Sequence, residues 1–260
     1  MHWALVTGAC SGIGLEIARD LASRSYSLVM VSDRAHELEL AAKALSVEHK
    51  VQTRAIVADL SRAEAASELY EQLAELDLRI DILVSNAGIL LFGELADTDP
   101  FQANRILQLH VTTPTLLALY FGRDMRARGQ GHVLFVSSAC TWSDFPGITL
   151  YGSTKRYLRS LAAALRAEIG PWGVNVTCLA PGAVSTGLYG DSEGAAARGA
   201  KLGLFSQPSS VARKALRGMF RGKALVLPGA GAKLVAAVAA LTPRWVIRMV
   251  RSHTRLLPRP

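Results

Sequence analysis

The sequence predicts an α/β domain: a parallel, doubly wound sheet with helices on both faces. Three observations carry this. Short apolar runs alternate with helical patterns from the first residues to about residue 180. The runs are almost wholly apolar, as strands covered on both faces are, where half-exposed strands would alternate. The first run opens directly into a glycine-rich turn and then a helical pattern, the start of a strand–turn–helix unit. A chain of 260 residues, half of them apolar, suits one domain and excludes wholesale disorder.

The strand candidates are 3–7, 28–32, 51–57, 80–85, 132–137, 174–179 and 224–227. The helix after the first run is marked by Leu15, Ile17, Ala18 and Leu21. The next spans 34–45, and in 63–78 the residues Leu69, Leu73 and Leu76 are expected on one face. Long helices follow at 99–128 and 150–169. Segment 187–206, rich in glycine and small residues where the last crossover should begin, reads as a substrate lid. Residues 1–230 thus form the expected domain, and 231–260 an extension.

Charge divides the chain at the same end. Residues 194–260 hold 13 of the 29 Lys+Arg and none of the 21 Asp+Glu, so the formal +8 describes neither part. Arg244, Arg248, Arg251 and Arg255 fall on one helical face with Trp245 among apolar neighbours. That makes 243–257 a basic amphipathic helix, suited to an anionic membrane surface or to packing on protein. Nucleic acid is not expected as a partner. Cys10, Cys140 and Cys178 lack paired spacing, which excludes a disulfide framework and a cysteine metal site. The longest apolar run near the end, 234–241, is too short to span a bilayer. No secretory signal is expected ahead of the first strand. The expected location is cytoplasmic, with peripheral contact to the inner face of a membrane as an open alternative.

The turn reads Thr7-Gly8-Ala9-Cys10-Ser11-Gly12-Ile13-Gly14. Glycines at 8, 12 and 14 let the backbone approach a pyrophosphate, and the helix N-terminus behind them offers free N–H groups to that anion. Asp33, 19 residues after Gly14, is placed to hold a ribose 2′-hydroxyl and favours NAD. Arg34 beside it could serve a 2′-phosphate and admit NADP, and Asp33 could equally cap the helix that follows. Further on, Ser138 closes a strand, and Tyr151 and Lys155 stand four apart on one helical face. An ammonium near a phenol favours the phenolate and lowers its pKa below the ordinary value of about 10. Tyr151 then becomes a usable proton donor and acceptor, while Ser138 can hydrogen-bond a substrate carbonyl oxygen.

On these motifs the sequence resembles the short-chain dehydrogenase/reductase superfamily over roughly residues 3–230. They are joined by Asp59-Leu60, Asn86-Ala87-Gly88 and Pro181-Gly182-Ala183-Val184-Ser185-Thr186. The resemblance implies a Rossmann-type seven-stranded parallel sheet in order 3-2-1-4-5-6-7. It places Asp59 at the adenine and Asn86 beside the cofactor ribose. Leu60, Ala87, Gly88, Pro181, Gly182 and Val184 would be further cofactor contacts, with Thr186 at the nicotinamide carboxamide. Tyr151 would be the acid/base and Lys155 a ribose contact that also tunes it. A homodimer or homotetramer through 99–128 and 150–169 is implied as well. The segments 206–216, 222–224 and 227–229 resemble bacterial members related to 3-oxoacyl reductases. That suggests acyl, steroid-like or other lipid-like alcohols and ketones, an acyl thioester among them. Leu188, Leu202, Leu204 and Phe205, with Leu90, Leu91, Phe92, Trp142, Phe145 and Ile148, are expected to form the apolar cleft.

One departure stands out. In Gln108-Leu109-His110-Val111, His110 occupies the place where the family carries an asparagine that supports the lysine through water. His110 is read as a proton relay or a structural substitute, with catalysis retained. The alternative is an impaired dinucleotide-binding scaffold or redox sensor at a membrane surface. The complete set of Ser138, Tyr151 and Lys155 speaks against it.

Overall fold

The computed structural model describes residues 2–185, 206–242 and 245. Seven parallel strands lie in order β3-β2-β1-β4-β5-β6-β7. They are β1 (Trp3–Thr7), β2 (Ser27–Ser32), β3 (Thr53–Val57), β4 (Ile80–Ser85), β5 (Gly131–Val136), β6 (Val174–Leu179) and β7 (Leu225–Val226). The eight α-helices described are α1 (Gly12–Ser23), α2 (Ala35–His49), α3 (Ala65–Glu75), α4 (Pro100–Leu107), α5 (Thr113–Ala127), α6 (Thr149–Ile169), α7 (Pro208–Phe220) and α8 (Ala230–Leu241).

Successive residues of β1 feed two separate cores, which explains why its sequence is apolar throughout. Ala4 and Val6 point into a cluster with Ile17 and Leu21 of α1, Leu38 and Leu45 of α2, and Leu216 and Met219 of α7. Trp3 and Leu5 point the other way, towards Leu69 and Leu73 of α3, Phe121 of α5 and Leu158 of α6. Central strands are thus buried on both faces. The edges are managed differently: β3 carries the exposed Arg54, and β7 has only two residues. After β3 the chain returns to place β4 beside β1, and this reversal of strand order opens a crevice at the carboxyl ends of the strands.

Three expectations are corrected. Leu76 lies at the C-cap of α3 and is 41% exposed, so only Leu69 and Leu73 of the expected stripe are buried. Helix 99–128 is interrupted by a π-helical turn at Gln108–Thr112. Pro114, which lacks an N–H, cannot bond the carbonyl of His110, so the regular ladder fails there. Strand 51–57 begins at Thr53. The lid at 187–206 lies outside the described residues except Ser206, and 243–257 does so except Trp245. Thr186, Leu188, Leu202, Leu204 and Phe205 are likewise outside them. Among the described residues no helix is long and apolar enough to cross a membrane.

Candidate functional site

A cleft of about 580 Å³ opens where strands β1 to β6 end, and its walls are the residues just after them. Gly8, Ser11, Gly12 and Ile13 follow β1, Asp33 and Arg34 follow β2, and Asp59 and Leu60 follow β3. Asn86, Ala87 and Gly88 follow β4, Ser138 follows β5, and Pro181, Gly182 and Val184 follow β6. Tyr151 and Lys155 enter from α6. Of the expected site residues, Gly14 and His110 stand behind the wall.

Gly8 and Gly12 have φ of +64° and +56°, which swing the chain from β1 into α1. Ser11, the residue before the helix, makes no side-chain cap bond, so the first-turn N–H groups of α1 stay free for a ligand. Gly14 serves packing: a Cβ there would lie 2.2 Å from the Gly8 carbonyl oxygen and 2.4 Å from Asn86 Nδ2. Thr7 and Asn86 brace this turn. The Thr7 hydroxyl accepts the N–H groups of Asn86 and Ala87, both at 3.0 Å. Asn86 Nδ2 donates to the carbonyls of Thr7 and Gly8 at 2.9 and 3.2 Å. The Asn86 amide therefore ties β1 to β4 at the cleft wall.

At the far end, Arg34 is the residue before α2 and no side chain caps that helix, so Asp33 does not act as its cap. The Arg34 guanidinium instead folds back across the cleft, donating to Ser11 Oγ at 2.5 Å and to Cys10 Sγ at 2.8 Å. Asp33 accepts from Ser32 Oγ at 3.3 Å. The Asp59 carboxylate accepts from the hydroxyl and N–H of Ser61 at 2.6 and 2.9 Å, and the hydroxyl bond holds its pKa below the usual carboxylate range. Free N–H groups, a guanidinium and a carboxylate along one elongated cleft form a donor set that suits a dinucleotide.

The other end holds Ser138, Tyr151 and Lys155. Lys155 is buried, its Nζ donates to the Val136 carbonyl at 3.1 Å, and it lies 5.8 Å from the Tyr151 ring centroid. Burial pulls its pKa from 10.5 down to about 8. Ser138 opens a short 3₁₀ turn, Ala139–Trp142, and its hydroxyl accepts the Cys140 N–H at 3.3 Å. The backbones on either side are fixed by bonds from Ser137 N to Leu179 O and from Ala139 N to Pro181 O, at 2.7 and 2.8 Å.

His110, fully buried, sits edge-on to the Tyr151 ring with centroids 5.9 Å apart. Its Nε2 accepts the Ile89 N–H at 3.0 Å, so the ring proton belongs on Nδ1. Nδ1 then donates to Thr154 Oγ1 at 3.0 Å, and that hydroxyl donates to the Tyr151 carbonyl at 2.9 Å. Burial, and then the Lys155 charge, keep the imidazole pKa well below 6.5, so the ring is neutral. Gly88 makes the arrangement feasible, because a Cβ there would stand 2.8 Å from His110 Nε2 and 3.2 Å from Lys155 Nζ.

The sequence reading missed Cys10, Arg105 and Leu109 as cleft residues, and Thr7 and Thr154 as braces. Thr7 and Thr154 adjoin quoted motifs, and that adjacency was the available signal. Arg105 reaches the cleft from α4, which only the packing of that helix determines. Of the apolar substrate residues, Leu90 lines the cleft. Phe92 and Phe145 are 56% and 39% exposed, and Trp142 lies under the Arg159 guanidinium at 4.3 Å.

The family model described as short chain dehydrogenase matches residues 2–195. Dehydrogenase/reductase SDR family member 4 of Rattus norvegicus is 34% identical over 184 residues, covering 70% of this chain and 66% of that protein. The very-long-chain 3-oxoacyl-CoA reductase-A of Danio rerio is 31% identical over 189 residues, covering 71% and 58%. The chain thus spans 66% and 58% of the lengths of these two relatives. Among solved structures, a short-chain dehydrogenase from Sphingobium yanoikuyae in complex with NADPH matches with a TM-score of 0.80 at 27% identity. It covers 100% of this chain and 99% of its own.

Proposed function

The chain belongs to the short-chain dehydrogenase family, and from that premise we propose that it is an NAD(P)-dependent oxidoreductase interconverting a hydrophobic alcohol and ketone. The observation that carries the reading is the buried Lys155 ammonium beside Tyr151, in the same cleft as Ser138 and the open N-terminus of α1.

The α1 N-terminus, with Gly8, Ser11, Gly12 and Ile13, would hold the diphosphate of the dinucleotide. Asp59 and Leu60 would flank the adenine, and Asn86, Ala87, Gly88, Pro181, Gly182 and Val184 would flank the rest. Asp33 suits the ribose hydroxyls of NAD, and Arg34 over Ser11 suits the 2′-phosphate of NADP. When bound, the nicotinamide ring supplies or accepts the hydride. In ketone reduction the Tyr151 hydroxyl gives its proton to the carbonyl oxygen, and in alcohol oxidation the phenolate takes it back. Lys155 stabilises the phenolate side of that exchange. The Ser138 hydroxyl donates to the same oxygen as negative charge grows on it. His110 acts in this reading as a positioning residue. Both of its ring nitrogens are engaged, and its bond through Thr154 to the Tyr151 carbonyl holds the first turn of α6 in place.

A lipid-like substrate, acyl or steroid-like, is supported by Leu90 in the cleft and by the name of the Danio rerio relative, which also favours an acyl thioester. The test is Tyr151→Phe, assayed with NADH and NADPH against a panel of apolar ketones. Turnover is expected to fall by about 10²–10⁴-fold with cofactor binding retained. Unchanged turnover would overturn the assignment.

A further inference from the structure

Helix α8 is apolar nearly all round, with Lys233 its one charged residue. It is packed in an unusual sense. Its small residues Ala232 and Ala236, each 4% exposed, face the protein. There α8 rests on the 139–142 turn, and the Ala232 backbone lies against Gly182. Three of its larger side chains face out: Leu234, Val238 and Leu241 are 64%, 56% and 82% exposed. At spacings of four and three they form one stripe along the helix. Trp245, beyond the end of the helix at Thr242, is 63% exposed. Burial energetics favour the opposite sense, so a helix that hides alanine and presents leucine has a second apolar contact to make.

Charge identifies the occupant. The stripe lies within the stretch 194–260, whose 13 cations have no anion among them. Lys233 flanks the stripe, and Lys214 of α7 reaches the start of α8, its Nζ 3.7 Å from where a Gly229 Cβ would lie. A second copy of this chain docked on the stripe would bring two such cationic stretches together, and like charges at contact distance repel. An anionic bilayer gains on both counts, since its interior takes the apolar side chains and its headgroups take the cations.

We propose that the exposed face of α8 is a docking surface for an anionic lipid bilayer. The opposite face of the same helix packs beside Gly182 and the turn after Ser138, so the docked bilayer lies about one helix thickness, ~10 Å, from the substrate end of the cleft. A lipid-like ketone would then be drawn from a nearby membrane, a consequence that rests on the catalytic reading above.

The experiment is co-sedimentation of the full chain with phosphatidylcholine vesicles, made with and without phosphatidylglycerol. The comparison variant is Leu234→Ser/Val238→Ser/Leu241→Ser, with light scattering for mass and thermal unfolding to check the fold. Binding is expected to the anionic vesicles, with partitioning in the triple variant lower by on the order of tenfold and mass unchanged. If the triple variant fails to fold, Leu241→Ser decides, because that side chain is the most exposed of the three. Lower binding supports the proposal and equal binding overturns it. Absence of wild-type binding would overturn it, and so would a triple variant that drops to a smaller oligomer, which would show a contact between copies. An inactive Tyr151→Phe leaves vesicle binding untouched, so failure of one reading is separable from failure of the other.

Discussion

Lys155 and His110 show how a residue's neighbours set its chemistry. With its ammonium buried against the Val136 carbonyl, Lys155 loses its proton near pH 8. Ketone reduction in the proposed mechanism needs that cation, since the neutral amine cannot stabilise the phenolate left on Tyr151. Below pH 8 the cation is present, and above it the population falls. The expected profile of kcat/KM for reduction is therefore level on the acid side of pH 8 and falls about tenfold per pH unit above it. His110→Asn is expected to leave this limb in place, because the lysine shift comes from burial while the imidazole is neutral. A limb that moves by a unit or more in His110→Asn would show that the imidazole is part of the proton path. Steady-state assays from about pH 6 to 10 on both proteins make the comparison.

Among the elements, the β1–turn–α1 unit is the most tightly constrained. Gly8 and Gly14 face each other across the turn, and the carbonyls of Thr7 and Gly8 accept the Asn86 amide from the loop after β4. Gly14→Ala places a methyl group 2.2 Å from a carbonyl oxygen, so the turn must open and the α1 N-terminus must move off the cleft. Titration of NADH and NADPH fluorescence is expected to show about a tenfold or greater loss of affinity. Retained affinity would mean that the turn is not the diphosphate seat. The break between α4 and α5 is a second constrained element. Its π-helical turn presents His110 inward, and Pro114 fixes where the ladder fails.

On the scale of the whole molecule, the cleft is built from the ends of six strands and from α6, so a ligand filling it bridges both halves of the sheet. Binding only to the folded state raises stability by about 2.7 kcal/mol at a ligand concentration 100 times Kd. For a chain of this size the same figure is an increase in Tm of roughly 5–10 °C. Calorimetry with saturating NADH and with NADPH is expected to show that increase for the preferred cofactor. No shift with either would contradict dinucleotide binding.

Local chemistry was legible without coordinates. Strand–helix alternation, the glycine turn and the i, i+4 pair Tyr151 and Lys155 each depend on neighbours in sequence, so pattern alone gave the parallel sheet, the turn at its first strand and the pairing of Tyr151 with Lys155 on one helix. Three features depended on contacts between distant segments. The sequence placed His110 where an asparagine was expected, but its tautomer and partners follow from Ile89 and Thr154, 21 and 44 residues away. It left Asp33 as either cap or ligand, and the backbone at Arg34 removed the cap. It showed an apolar run at 234–241, but which side of the helix there faces outward was decided by the fit of Ala232 against Gly182. The sequence by itself determined the fold class and the cationic C-terminal stretch, because periodicity and composition are properties of the chain. Only the tertiary structure decided the state of His110 and the outward face of α8, because hydrogen-bond partners and buried area exist only once remote segments meet.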